Sequence, residues 1–158
     1  MSPPQLVFRP LTADDFASAR AVADEWFGHP VGLTMHRLFF DQLGTTGVFA
    51  ASRDAPERMV GCLLGLRSQA EPWLAYIHFH MVDPAVRGVG VGRAMYVWFG
   101  AAMHAAGCTR VRALAAPERT GSVRFHRALG FVGTERPGFL GPGQDRIVFE
   151  RDLPLVAA

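Results

Sequence analysis

The segment VDPAVRGVGVGR, from Val82 to Arg93, carries most of the functional information in this chain. It has glycine at three alternate positions between two arginines, after a strand-like segment (residues 73–82) and before a helix-like one (residues 94–106). The first amides of a helix have no partner inside it, and no Ser, Thr, Asp or Asn stands between Arg87 and Tyr96 to cap them. Free amides, bare glycine backbone and two guanidinium groups together predict a site for a phosphate or pyrophosphate.

Two common phosphate motifs do not fit this segment. The dinucleotide pattern G-x-G-x-x-G fails because Met95 stands where the third glycine belongs, and the P-loop needs a lysine, which the chain lacks entirely. The pattern that fits is R-x-x-G-x-G, at Arg87, Gly90 and Gly92. Together with the hydrophobic strand ending in Val-Asp-Pro, it resembles the acetyl-CoA pyrophosphate loop of the GNAT superfamily of N-acetyltransferases.

The order of predicted elements extends this resemblance to nearly the whole chain. Hydrophobic periodicity and turn residues predict strands at residues 6–11, 47–52, 59–66, 73–82, 110–115, 131–134 and 146–151, and helices at residues 12–27, 31–43, 94–106 and 121–129. A polar turn is predicted at residues 53–58, and the third helix is expected to bury Val91, Ala94, Met95, Trp98 and Ala102. The segment GSVRFHRALGF, Gly121 to Phe131, resembles the last helix of the family. The resemblance implies an α/β fold with a mostly antiparallel central sheet of about seven strands flanked by helices.

Composition limits the class of protein. Apolar residues make up 49% and charged residues 19% of the 158 positions, which predicts one globular domain over residues 1–158. No apolar run approaches the ~20 residues of a membrane span, and the N-terminal residues have no signal-peptide core, so we expect a cytoplasmic protein without a membrane partner. The net charge of +2 with dispersed arginines argues against nucleic acid. A homodimer stays open.

The resemblance also implies a reaction and a cofactor site. The reaction is direct attack of an amine on the thioester of acetyl-CoA, which transfers the acetyl group. The implied cofactor-binding residues are Met81, Val82, Arg87, Gly88, Val89, Gly90, Val91, Gly92, Arg93 and Ser122. Backbone amides near Met81 and Val82 would bind the oxyanion, where the strand diverges from its neighbour. Arg119 departs from the asparagine that the family often carries, so that contact is either lost or made to a phosphate.

His126 is the candidate general acid. Matched residue by residue, it occupies the position of the family's tyrosine that protonates the leaving thiolate. An imidazolium of ordinary pKa, ~6.5, is acidic enough for this step. The alternative is that His126 only contacts the cofactor or packs beside Phe125.

The candidate bases lie on the strand before the glycine segment. Tyr76, His78 and His80 alternate along it, so we expect them on one sheet face, with Ile77, Phe79 and Met81 on the other. His78 and His80 are predicted as base or water relay, with His78 preferred, while Glu71 and Glu118 are carboxylate alternatives. Two hydrogen-bonded core histidines would also explain the pattern. We expect no metal, because no carboxylate or thiol accompanies the pair.

Two classes of function fit these features. The first is an N-acetyltransferase acting on an amine of a small molecule or peptide. The second is a non-catalytic acyl-CoA-binding domain, which would keep the glycine segment and need neither acid nor base. For the enzyme, the resemblance implies acceptor walls at residues 26–40 and 137–144. Carboxylates are scarce there, which argues against a polycationic acceptor.

Overall fold

A seven-stranded sheet organises the structure, a computed structural model that describes residues 5–156. The strands are β1 (Leu6–Pro10), β2 (Val48–Ser52), β3 (Ala55–Arg67), β4 (Leu74–Val82), β5 (Arg110–Ala115), β6 (Val132–Arg136) and β7 (Arg146–Asp152). The helices are α1 (Asp15–Phe27), α2 (Arg37–Leu43), α3 (Val91–Ala105) and α4 (Thr120–Ala128). The spatial order is β1-β2-β3-β4-β5-β7-β6, and only the β4–β5 pair is parallel. The predicted element order and the mostly antiparallel α/β sheet are confirmed.

The sheet has a hydrophobic core on each face. One core joins α3 and α4 to the sheet through residues such as Met95, Phe99 and Phe149. The other joins α1 and α2 to the opposite face through residues such as Ala23 and Phe40. Among the described residues, no helix is long and apolar enough to cross a membrane.

Two predicted boundaries differ from the structure. The segment at residues 31–43 is not one helix, because a 3-10 turn at Gly32–Thr34 precedes α2. The polar turn predicted at residues 53–58 is wrong, since β3 begins at Ala55, paired with Ser52, and only two residues make the turn. Residues 55–58 are exposed, so they form a strand through backbone pairing rather than through burial.

The buried face of α3 is rotated from the prediction. The structure buries Val91, Gly92, Met95, Tyr96, Phe99, Gly100 and Met103. Ala94, Trp98 and Ala102, predicted on the core side, are at least partly exposed. A glycine on the sheet makes room for this orientation, because a Cβ at Gly65 would lie 2.5 Å from the ring of Phe99. The correct face therefore depends on a residue in another element.

Strands β4 and β5 separate along their length, which positions the candidate site. They pair only from Leu74 to Ile77 with Arg110 to Ala113. Residues 79–82 of β4 continue to pair with β3 on their other edge. The separated ends form a cleft whose β4 side leads into the segment at residues 88–93, called the glycine loop below.

Candidate active site

The glycine loop presents free backbone amides. Gly88 and Gly90 have φ of 81° and 92°, a left-handed conformation that disfavours side chains. A Cβ at either position would meet nothing within 4 Å, so the conformation and not crowding requires glycine. Gly90 immediately precedes α3 and no side chain caps that helix. In the part of the chain that the structure describes, no oxygen accepts a hydrogen bond from the amides of residues 88–93.

The third glycine of the loop serves packing. Gly92 is buried, and a Cβ there would lie 3.0 Å from the ring of Phe125 on α4. The absence of a side chain therefore lets α3 and α4 approach each other beside the cleft. The free amides of the loop, the dipole of α3 and the close approach of α3 and α4 together fit an anionic ligand such as the pyrophosphate of CoA.

The two arginines that flank the glycines differ in their surroundings. The guanidinium of Arg87 donates from Nε to the carbonyl oxygen of Val82 at 3.2 Å, and from Nη2 to the carbonyl oxygen of Trp26. Arg87 thus ties the end of β4 to the end of α1. Arg93 lies partly exposed in the first turn of α3. Arg87 is the more exposed of the two, but its guanidinium already binds two carbonyls, whereas that of Arg93 has no hydrogen-bond partner among residues 5–156 and is the freer to meet a bound phosphate.

A bulge in β4 separates the two candidate bases. Leu64 of β3 pairs with Phe79 while Gly65 pairs with Ile77, so His78 is the extra residue. An extra residue reverses the alternation of side chains beyond it. Accordingly Ile77 lies in the core beneath α3, whereas Phe79 lies in the core beneath α1 and α2. The prediction that Tyr76, His78 and His80 share one face, opposite Ile77, Phe79 and Met81, is therefore wrong.

His78 lies on the α2 side of the sheet. Its Nε2 is 2.9 Å from the carbonyl oxygen of Thr34, to which it donates, and its ring contacts Phe39 at a centroid distance of 4.6 Å. Its Nδ1 lies 3.5 Å from the hydroxyl of Tyr76. Burial lowers the pKa of His78, and the Thr34 carbonyl offsets part of that effect. This imidazole is therefore a neutral group with one nitrogen committed to the backbone.

His80 lies on the opposite side, against α3 and α4. Its Nδ1 is 2.9 Å from the hydroxyl of Tyr96, which in turn is 3.0 Å from Nε2 of His126. Burial, with smaller contributions from His126 and Arg87, lowers the pKa of His80 to about 3. Its Nε2 has no hydrogen-bond partner among the described residues. Every buried side-chain nitrogen or oxygen in that part of the chain does have a partner, so Nε2 of His80 is not fully buried and reaches solvent.

His126 is enclosed rather than open to a ligand. The residue is 2% exposed, and its ring stacks on Phe149 at 4.8 Å between centroids. Its Nδ1 is 2.8 Å from the carbonyl oxygen of Ser122. Burial lowers its pKa, partly offset by that carbonyl. The hydroxyl of Tyr96 thus lies between His126, the predicted acid, and His80, and contacts both rings.

Sequence reasoning missed Tyr96, the residue that joins the two histidines. Tyr96 is fully buried, and burial raises the pKa of its hydroxyl. Its position four residues after Gly92, on the same helix face, was the available signal. The predicted core face of α3 included Ala94, Trp98 and Ala102 instead, and it left Tyr96 out.

The carboxylate alternatives lie away from this cluster. Glu71 is 3.6 Å from Arg112, and Glu118 is exposed in the turn before α4, next to the exposed Arg119. A cavity of about 340 Å³ opens on the Tyr76 side of the sheet. Its lining includes Ser68, Glu71, Tyr76, Arg112, Leu114 and Phe139. Within residues 5–156, no group of three or more His, Cys, Asp or Glu is arranged to hold a metal.

Comparisons with solved structures agree with this fold. A protein from Desulfovibrio desulfuricans assigned to the GNAT acetyltransferases has a TM-score of 0.79 and 21% identity, over 93% of this chain and 98% of its own. Ard1 from Thermoplasma volcanium has a TM-score of 0.78 and 18% identity, over 94% and 98%. Diaminobutyrate acetyltransferase EctA from Paenibacillus lautus, solved with L-2,4-diaminobutyric acid and coenzyme A, has a TM-score of 0.71 and 18% identity, over 98% of both chains.

The family follows from the sequence itself. A search of curated proteins gave no significant match. Residues 16–131, however, match the model of the acetyltransferase (GNAT) family, and this range includes the glycine loop, β4 and all of α4. The chain therefore belongs to the GNAT family of acetyltransferases.

Proposed function

We propose that this acetyltransferase transfers the acetyl group of acetyl-CoA to an amine, with His80 as the general base. The observation that supports it most directly is that His80, whose Nε2 has no hydrogen-bond partner, lies on the part of β4 that has separated from β5 and that leads into the free-amide loop. The loop has the chemistry to hold an anion, and the nitrogen has the chemistry to accept a proton. A non-catalytic acyl-CoA-binding domain would require only the loop.

The residues around the loop fit the cofactor. When bound, acetyl-CoA supplies the acetyl group as an activated thioester. We assign the pyrophosphate to the amides of residues 88–93 and to Arg93, and the contact near the base to the backbone of Met81 and Val82, beyond the last β4–β5 pair. Ser122 remains a proposed cofactor contact, with its carbonyl already accepting from His126. Arg87 supports the loop through the Val82 carbonyl.

The base favours an acceptor of low basicity. With a pKa lowered to about 3, His80 is neutral at pH 7 but holds a proton weakly. An amine of pKa near 8 is about one-tenth neutral at pH 7, whereas a lysine amine is neutral in roughly one molecule of 2,500. His80 suits an amine that is already neutral and sheds its proton as the new bond forms. We therefore propose a peptide α-amino group as the acceptor, ahead of a lysine side chain or a polyamine.

A panel of amines tests this function. Free thiol release from acetyl-CoA is measured with a peptide bearing a free α-amino group, its N-acetylated lysine-containing counterpart, and a diamine. The first is expected to react fastest. Acetyl-CoA binding without turnover of any amine would instead support the non-catalytic domain.

Matched histidine variants locate the base. His80→Gln should lower kcat by about 10²-fold or more, with the KM for acetyl-CoA unchanged, because it removes the accepting nitrogen. His78→Gln is the control, since it lies across the sheet and is expected to change the KM of the amine more than kcat. A loss of kcat in His78→Gln alone would reverse the assignment.

We propose a single domain that works in the cytoplasm with acetyl-CoA and an amine as partners, and without nucleic acid or membrane. The net charge of +2 and the dispersed arginines support the absence of a nucleic-acid partner.

A further inference from the structure

Three side chains form a continuous hydrogen-bonded chain from the cleft into the protein. Nδ1 of His80 lies 2.9 Å from the hydroxyl of Tyr96, and that hydroxyl lies 3.0 Å from Nε2 of His126. Nδ1 of His126 lies 2.8 Å from the carbonyl oxygen of Ser122. One end, Nε2 of His80, reaches solvent, and the other end is a backbone carbonyl.

The inner end of this chain sets the direction of every bond in it. A carbonyl oxygen only accepts, so Nδ1 of His126 carries the proton, and Nε2 of the neutral ring must accept. Tyr96 has one proton and therefore donates it to His126. Its oxygen then accepts from Nδ1–H of His80. His80 is thereby held as the tautomer whose lone pair lies on Nε2, the nitrogen without a partner in the described structure.

The surroundings of His80 and His126 differ in how well they stabilise a positive charge on the ring. His126 lies in the last turn of α4, where the helix dipole favours a cation, and its Nδ1–H is bound to a carbonyl. Its ring stacks on Phe149 with an interplanar angle of 10°. Burial lowers the pKa of both histidines, and the pKa of His80 is lowered further by His126 and Arg87. Of the two rings, His126 is the better final holder of a proton.

We propose, on the basis of the function proposed above, that Tyr96 relays the proton of the acceptor amine from His80 to His126. The N–H bond of the amine breaks and its proton bonds to Nε2 of His80. The Nδ1 proton of His80 passes to the oxygen of Tyr96, and the hydroxyl proton of Tyr96 passes to Nε2 of His126. His80 ends neutral with its proton on Nε2, Tyr96 ends as a neutral phenol, and His126 ends as the imidazolium. A deeply buried histidine thus serves the reaction without touching a substrate.

Kinetics of a matched pair of tyrosine variants test the relay. Tyr96→Phe removes only the hydroxyl between the two histidines, and is expected to lower kcat about tenfold or more while the KM for acetyl-CoA is unchanged. Tyr76→Phe is the control, because its hydroxyl lies beside His78, on the other side of the bulge. The assay uses the amine of the panel that the wild type acetylates fastest. A folded Tyr96→Phe variant with wild-type kcat would overturn the relay.

Nitrogen-15 NMR of labelled histidine tests the tautomers without any amine. In the wild type both His80 and His126 should carry their proton on Nδ1, whereas free imidazole side chains favour Nε2. In Tyr96→Phe, His80 should revert to the Nε2–H form while His126, still bound to the Ser122 carbonyl, keeps Nδ1–H. The His126 signal is therefore an internal control for folding. An Nε2–H form of His80 in the wild type would overturn the proposal.

The two measurements separate this inference from the function on which it rests. Absence of turnover by the wild type overturns the proposed function, and with it the relay, even where NMR finds the expected tautomers. If the wild type turns over and Tyr96→Phe is equally active, the relay is overturned and the proposed function stands. Turnover that Tyr96→Phe reduces, together with the tautomer change at His80, supports both.

Discussion

A single carboxylate, Asp15, joins the first strand to the first helix. It accepts from both terminal nitrogens of Arg9, at 2.8 and 2.9 Å, and from the backbone amide of Thr12 at 2.8 Å. The residue is 8% exposed. Burial alone would raise the pKa of Asp15, but these hydrogen bonds outweigh it and hold the pKa below its usual value.

Replacing this carboxylate should weaken the fold in a pH-dependent way. Asp15→Asn is expected to lower the free energy of unfolding by about 1–3 kcal/mol at pH 7, because Arg9 and Thr12 lose a charged acceptor. The contribution of Asp15 is present above its unfolded pKa of ~3.9 and disappears as pH falls through its lower folded pKa, so wild type and variant should converge in acid. Urea unfolding measures both.

An exposed ion pair provides the control for this prediction. Asp41→Asn removes the partner of Arg37, at 3.4 Å on the surface of α2. It should change stability by less than about 0.5 kcal/mol, since surface pairs contribute little. An equal loss in the two variants would show that burial of Asp15 has no special role.

At the scale of elements, the junction between the glycine loop and α3 determines how an anion could bind. Gly90 is the residue before the helix and has a left-handed conformation, and no side chain caps the first amides of α3. Gly107, at the other end of α3, has a similar φ of 101° but lies away from the loop. Gly90 and Gly107 therefore allow the same substitution in a left-handed residue to be compared inside and outside the loop.

Alanine at these two glycines should separate stability from cofactor binding. Both Gly90→Ala and Gly107→Ala should cost about 1–2 kcal/mol, the penalty of a left-handed residue with a Cβ. Only Gly90→Ala should also raise the KM for acetyl-CoA, by about tenfold, because relief of the strain reorients the loop amides. Thermal unfolding and initial rates measure the two effects. A similar rise in KM for Gly107→Ala would argue against the loop as the pyrophosphate site.

For the whole molecule, neutral histidines couple stability to pH. Burial lowers the pKa of His78, His80 and His126 in the folded protein. Below the unfolded pKa of ~6.5, the unfolded chain takes up protons that the folded protein excludes. The folded state therefore loses stability as pH falls, and this loss begins near neutrality.

His80 should account for a measurable share of this loss. Between pH ~6.5 and its folded pKa of about 3, it contributes a slope of roughly 1.4 kcal/mol per pH unit. Urea unfolding of the wild type should show a free energy of unfolding that falls between pH 7 and pH 5. In His80→Gln the slope of this free energy against pH should be smaller by the equivalent of about one proton. An unchanged slope in that variant would mean that His80 titrates normally in the folded protein.

Much of the fold could be predicted because its signals are local. Strand and helix periods, the glycines that end α1 and α4, and the loop between Val82 and Arg93 each occupy a few consecutive residues. The candidate site was predictable only in part. His78, His80 and His126 were identified by residue type and position, but their grouping was not, because a bulge leaves no reliable mark in a single sequence.

The sequence by itself determined the elements, their order, the glycine loop and the family, since each depends on neighbours along the chain or on a contiguous motif. Only the tertiary structure decided which histidine meets which partner. The bulge at His78 turns His80 toward α3, and Gly65 of β3 admits the face of α3 that carries Tyr96. These contacts join residues 16 and 30 positions apart, so their geometry depends on how separate elements pack.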